Sequence, residues 1–167
     1  MADNSGGARL SLYENELYGQ VEVVEPSWEM VFFLLTDEWY AVDILNVKEI
    51  LPPQPLTTLP NVPDHVMGII SLRGIIVPII HLKTLFGLPS VEDSDAGLIM
   101  VITKGDMVIG VLVDAADQVV SVPISKIEKK LPTLQSEKTE WITGQMEHDG
   151  RVVALLDVGK LIDKTRL

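Results

Sequence analysis

Cysteine is absent from the 167-residue chain, which removes disulfides, thiolate metal sites and thiol nucleophiles together. The same absence fits a reducing compartment. No apolar run approaches the roughly 18–20 residues that a membrane-spanning helix needs. The N-terminus has no basic stretch leading into an apolar one, so no secretory signal is expected and the chain is read as cytoplasmic. Positive charge is scarce: 13 Lys and Arg stand against 24 Asp and Glu, a formal net charge of −11. That balance repels phosphate backbones and anionic lipid, so neither nucleic acid nor membrane insertion is expected. Its ordinary effect is solubility.

Catalytic signatures are missing as well. There is no GxGxxG or GxxxxGK[ST] phosphate loop and no GxSxG elbow. His65, His81 and His148 lie far apart, outside HxH or HExxH spacing, so no metal site is assigned. Asp43, Asp114 and Asp157 fall at strand ends, where acids usually cap or bond locally. Nothing favours a carboxylate pair for acid–base work. No catalytic residue and no cofactor are assigned, and the chain reads as a non-enzyme that offers surfaces.

What is present is a core. Hydrophobic residues make up 47%, which excludes wholesale disorder. Residues 1–28 are acidic and open with Gly and Ser, and read as a flexible N-terminal extension. From residue 29 the pattern is short strands. The run 30–35 is followed by 39–51, whose imperfect alternation predicts one bent strand. Five prolines between Pro52 and Pro63 mark an irregular loop, and 64–67 suggests one helical turn. A hairpin over 69–72 and 75–80 leads to a short helix at 82–86, stopped by Gly87 and Pro89. After an acidic linker at 91–97 come a hairpin at 98–103 and 107–113, then a strand at 119–122. Residues 124–140 read as loop with a helical turn. A last hairpin at 142–147 and 152–156 precedes a closing helix at 158–162, and 164–167 form a tail. The fold class is all-β, with short strands and close turns that favour barrels.

The chain also repeats itself. Gly68 and Gly74 flank one hairpin as Gly144 and Gly150 flank another, both pairs offset by 76. The offset lays Ile79-Ile80 on Leu155-Leu156 and Leu85 on Leu161, while 41–44 fall on 110–113 at offset 69. Glycine suits such places, where a side chain would clash or φ must be positive. Two related barrel units packed about a pseudo-two-fold are expected.

Residues 40–50, 59–63 and 68–80 resemble the signature of the CheW-like coupling proteins of bacterial chemotaxis. So do Gly110-Val-Leu-Val-Asp114, Ile142-Thr-Gly144 and Leu155-Leu-Asp157. The resemblance spans about residues 29–163, read as one CheW-like domain of two intertwined units. It implies two SH3-like five-stranded β-barrel subdomains, with short helices after hairpins and at the C-terminus. It implies a scaffold that joins the cytoplasmic tip of methyl-accepting chemoreceptors to the histidine kinase CheA, through that kinase's CheW-like regulatory domain. Such a scaffold works in receptor arrays beneath the inner membrane. The residues matching the receptor groove are Val47, Glu49, Arg73, Ile99, Met100 and Val119, with Glu49 and Arg73 setting orientation and pairing with each other. For the apolar four, ordinary core is the plain alternative.

Two departures stand out: Ser71 replaces the usual Asn before Leu-Arg-Gly, and His81 replaces the Asp that starts the following helix. The repeat partner Asp157 keeps the acid. An adaptor of a related kinase pathway, such as pilus-based surface motility, is the alternative function. A small-molecule or hydrolytic domain would need convergent polar residues that are not found. The length, Met1 and a closing helix lead us to expect a free-standing adaptor, not a piece of the kinase or of a receiver fusion.

Overall fold

The computed structural model describes residues 25–89, 97–129 and 140–166. Eleven strands fill these stretches. The first unit contributes β1 (Ser27–Leu35), β2 (Glu38–Asp43), β3 (Val47–Leu51), β4 (Val66–Leu72), β5 (Ile75–His81) and helix α1 (Leu82–Phe86). The second contributes β6 (Leu98–Lys104), β7 (Met107–Val113), β8 (Ala115–Pro123), β9 (Glu128–Lys129), β10 (Ile142–His148), β11 (Arg151–Leu156) and helix α2 (Val158–Thr165).

The two units exchange strands. One sheet runs β8-β1-β2-β11-β10-β9 and the other β3-β6-β7-β5-β4. Each therefore combines a two-stranded piece of one unit with the remainder of the other. The parallel joints match: Ile79 pairs with Gly110 in one sheet, and Leu155 with Ala41 in the other. The two-residue β9 has a counterpart too, reduced to the single bridge Thr57–Ile69. The repeat offsets of 76 and 69 hold at the parallel joints, while in the short bridge Ile69 falls on Gln145 at 76 and Thr57 on Glu128 at 71.

Both hairpins of the repeat share one geometry. Arg73 (φ 51°) and Gly74 (φ 83°) form the first turn, Asp149 (φ 52°) and Gly150 (φ 77°) the second. Two successive positive φ values match the twist of the strands they join. Gly68 and Gly144 sit at bulges for another reason. A Cβ at Gly68 would stand 2.5 Å from the Thr57 carbonyl oxygen, and one at Gly144 2.6 Å from that of Glu128. The crossing segment needs the space.

Three cores result. Met30, Phe32, Ala41, Val122, Met146, Val153 and Leu155 fill the six-stranded barrel. Ile70, Val77, Ile79, Ile99 and Val101 fill the other. A third and larger core lies between them, where Phe33, Tyr40, Ile80, Met100, Val111, Leu156 and Leu161 meet. Strands β1 and β6 bury both faces, one in a barrel and one between barrels, so they read as unbroken apolar runs without alternation.

The structure departs from the sequence reading at several places. The segment 39–51 is two strands, because Asp43 caps a 3-10 turn at Ile44–Asn46 by accepting the Leu45 N–H at 2.9 Å. No helical turn forms over 64–67, since β4 already starts at Val66. Regular structure begins before residue 29: Ser27 and Trp28 pair with Pro123 and Val122, and Ile124 N–H donates to the Pro26 carbonyl. It also passes residue 163, because α2 runs through the buried Thr165. The rest of the acidic extension, residues 1–24, lies outside the described residues, as do most of the acidic linker and of the loop at 124–140.

Candidate functional site

The tip of the β4–β5 hairpin and the neighbouring β3 build one polar feature. Arg73 projects from the turn, its side chain 67% exposed, and donates to Glu49 from both terminal guanidinium nitrogens. The second of these bonds, Nη2 to Oε1, measures 3.1 Å. Hydrogen bonding from Arg73 holds the Glu49 carboxyl below its ordinary value, and the same contact holds Arg73 charged. Strands β3 and β4 are the outer strands of their sheet, so this fork joins its two edges. It closes the barrel and presents a charged pair at the surface.

Apolar side chains surround it. Val47 opens β3 and is half-buried, and Ile50 is exposed beyond Glu49. Ile75 and Ile76, immediately after the turn, are 46% and 65% exposed. The sequence reading passed over both, because an Ile-Ile pair in a strand looks like core. The available signal was their place next to a two-residue turn, where a strand has not yet entered the barrel. Val119 is also exposed but lies on β8 of the other sheet, opposite Val31.

Ile99 and Met100 are different. They are 2% and 0% exposed, Ile99 inside one barrel and Met100 between the barrels. They pair with Leu51 and Ile50 across the ladder, and so set the position of β3 from beneath without forming a surface themselves. Of the six residues named from sequence, Glu49 and Arg73 touch, Val47 shares the strand of Glu49, Val119 stands apart, and two are core.

The three strand-end acids divide in role. Asp43 and Asp157 cap locally, Asp157 Oδ1 accepting the Lys160 N–H at 3.0 Å. Asp114 instead reaches across the chain. It accepts the Thr36 N–H at 2.7 Å and pairs at 2.8 Å with Lys83, whose side chain is only 9% exposed. No group of three or more His, Cys, Asp or Glu suited to a metal occurs among the described residues. None of their helices is long and apolar enough to cross a membrane.

Comparison with known proteins gives one consistent picture. The family model described as the CheW-like domain matches residues 29–166. The chain is 31% identical to chemotaxis protein CheW of Klebsiella aerogenes over 163 residues, covering 98% of this chain and 93% of that protein. It is 30% identical to chemotaxis protein CheW of Bacillus subtilis, covering 81% and 87%. Among solved structures, the scaffolding protein TtCheW from Thermoanaerobacter tengcongensis superimposes with a TM-score of 0.73. The identity there is 29%, and the match covers 78% of this chain and 89% of that one.

Proposed function

The chain belongs to the CheW-like domain family of chemotaxis coupling adaptors, and from that premise we propose that it joins the cytoplasmic tip of methyl-accepting chemoreceptors to the histidine kinase CheA. It does so in the cytoplasm, at receptor arrays, and catalyses nothing itself. The observation that carries this reading is the Glu49–Arg73 fork, a fixed and exposed charge pair flanked by Val47, Ile50, Ile75 and Ile76. Apolar surface beside paired charge suits an amphipathic helix, the apolar side chains giving affinity and the charges giving register. Ile99 and Met100 support that surface from below. Val119, exposed on β8 of the other sheet, would be a second and separate contact, and the kinase regulatory domain docks on barrel ends. The test is a pull-down of purified receptor tip and purified kinase regulatory domain, read beside kinase activation in receptor-containing membranes. The protein retains both partners and activates the kinase if the reading is right. Retention of neither would overturn it.

A further inference from the structure

On the six-stranded sheet, away from the ion-paired hairpin, a groove of about 450 Å³ opens where the start of β2, β11 and α1 meet. Its wall is aromatic. Trp39, Tyr40, Phe86 and Trp141 line it, out of three Trp, three Tyr and three Phe in the whole chain. Phe86 and Trp141 stack at 5.0 Å and 14°, and Tyr40 tilts against Phe86 at 5.5 Å. Asp37 and Glu38 form an exposed acidic lip. The Tyr40 hydroxyl donates to Glu38 Oε1 at 2.8 Å and holds that carboxylate at the edge of the rings.

The internal repeat serves as a control for what the fold itself requires. Asp157 N–H donates to the Trp141 carbonyl at 2.7 Å, as His81 N–H does to that of His65, so Trp141 and His65 are equivalent positions. By the same offsets Phe86 corresponds to Ile162, Tyr40 to Ile109, Trp39 to Val108 and Glu38 to Met107. The other half builds the same architecture with no Phe, Tyr or Trp at any of these places, only the smaller imidazole of His65, and with only Asp106 left of the acidic lip. The rings and the second acid are additions to the scaffold, not conditions of it.

Trp141 is a fixed part of that wall. The residue is 3% exposed and its Nε1 is buried, so it gives the groove a ring and not a donor. The Arg151 guanidinium, 4.4 Å above Trp39, already occupies that ring. An incoming cation is therefore left the carboxylates, neither of which has a cationic partner among the described residues.

We propose that this groove docks a short extended segment of a partner protein, whose lysine or arginine meets Asp37 and Glu38 and whose apolar side chains pack on the rings beside Trp141. The net charge of −11 draws a basic segment in, and the stacked rings supply its apolar contact. The site is separate from the receptor surface proposed above, and its failure would leave that reading untouched.

The test is a nitrogen–proton NMR titration of the full chain with two capped pentapeptides, Val-Lys-Val-Lys-Val and Val-Glu-Val-Glu-Val. The three indole signals are assigned by single Trp→Phe substitutions. The lysine peptide should move the Trp141 indole signal saturably, and the glutamate peptide should bind about tenfold more weakly or worse. Asp37→Asn with Glu38→Gln should cost the lysine peptide about tenfold. Val152→Arg, at a 61% exposed position of the groove, should block it while melting like the parent. An unmoved Trp141 signal, equal response to both peptides, or full response to free lysine amide alone would overturn the proposal. So would a shift that follows protein concentration without peptide, with a doubled mass in light scattering, which would make the occupant a second copy.

Discussion

Replacing His81 by aspartate perturbs one cap and leaves its twin as a reference. His81 Nδ1 accepts the Thr84 N–H at 3.2 Å at the start of α1, where Asp157 in the second unit accepts at 3.0 Å. A carboxylate is a strong N-cap and an imidazole a weak one, so His81→Asp should stabilise by about 0.5–1 kcal/mol at neutral pH. For a chain of this length that is about 1–4 °C in melting temperature. Neighbouring charges nearly cancel, because the ammonium of Lys83 lies 2.8 Å from Asp114 and the new acid meets both as a pair. The pH dependence is the sharper part. Burial first, then Lys83, hold the His81 pKa below its ordinary 6.5, against the opposing pull of Asp114. A protonated Nδ1 cannot accept the Thr84 N–H. The stability this cap contributes is thus present above about pH 6.5 and lost as pH falls through the depressed folded-state value. Aspartate stays ionised over that interval. The gap between variant and wild type should therefore widen as pH falls from about 7.5 to 5.5. His65, also depressed by burial, is common to both proteins and drops out of the difference. Thermal melting followed by circular dichroism reads this directly. An unchanged or lowered melting temperature at neutral pH, or a gap that does not vary with pH, would refute the assignment.

Three further outcomes follow from particular contacts. Gly68→Ala and Gly144→Ala should each cost about 1–3 kcal/mol or more, since the added methyl meets a backbone carbonyl that cannot give way; a wild-type denaturation midpoint would contradict this. Lys83→Ala should cost about 3 kcal/mol, because it strips the buried partner from Asp114, and equilibrium urea unfolding reads the loss. Arg73→Ala should melt close to wild type yet lose about five- to hundred-fold in receptor-tip affinity, with Val47→Asp harsher. An Arg73→Ala protein that binds like wild type would remove Arg73 from the site.

The turns and the duplication were legible in the chain because they depend on glycine, whose reasons are local. Gly74 and Gly150 supply positive φ, and Gly68 and Gly144 supply room. Helix α1 was legible down to both ends for the same kind of reason: Gly87 adopts the left-handed conformation at its C-cap. The exchange of strands was not legible in the residue pattern, and only the family resemblance implied intertwined units. Pairing of β5 with β7 and of β11 with β2 leaves no mark on either partner, since an apolar strand suits any neighbour. At the site, Glu49 and Arg73 were named through the family resemblance, and the pair expected between them forms. Ile99 and Met100, for which groove and core stood as alternatives, are core, while Ile75 and Ile76, placed only in a strand, are exposed. Apolarity alone cannot separate those cases when a sheet has one core inside its barrel and a second behind it.

The exchanged strands have a consequence for how the chain is made. Synthesis runs from the N-terminus, and β2 waits for β11 to complete its sheet, so Ala41, paired with Phe32 on one side, has no partner on the other until Leu155 has left the ribosome. The β1–β2 hairpin therefore emerges with open edges that only later strands can cover. The five-stranded sheet draws on β3 to β7 alone and has all its strands once Val113 is made. The two barrels thus become complete in order, the one built from the middle of the chain before the one built from its ends. A ribosome stalled before β10 would expose one sheet with all its strands and one unfinished.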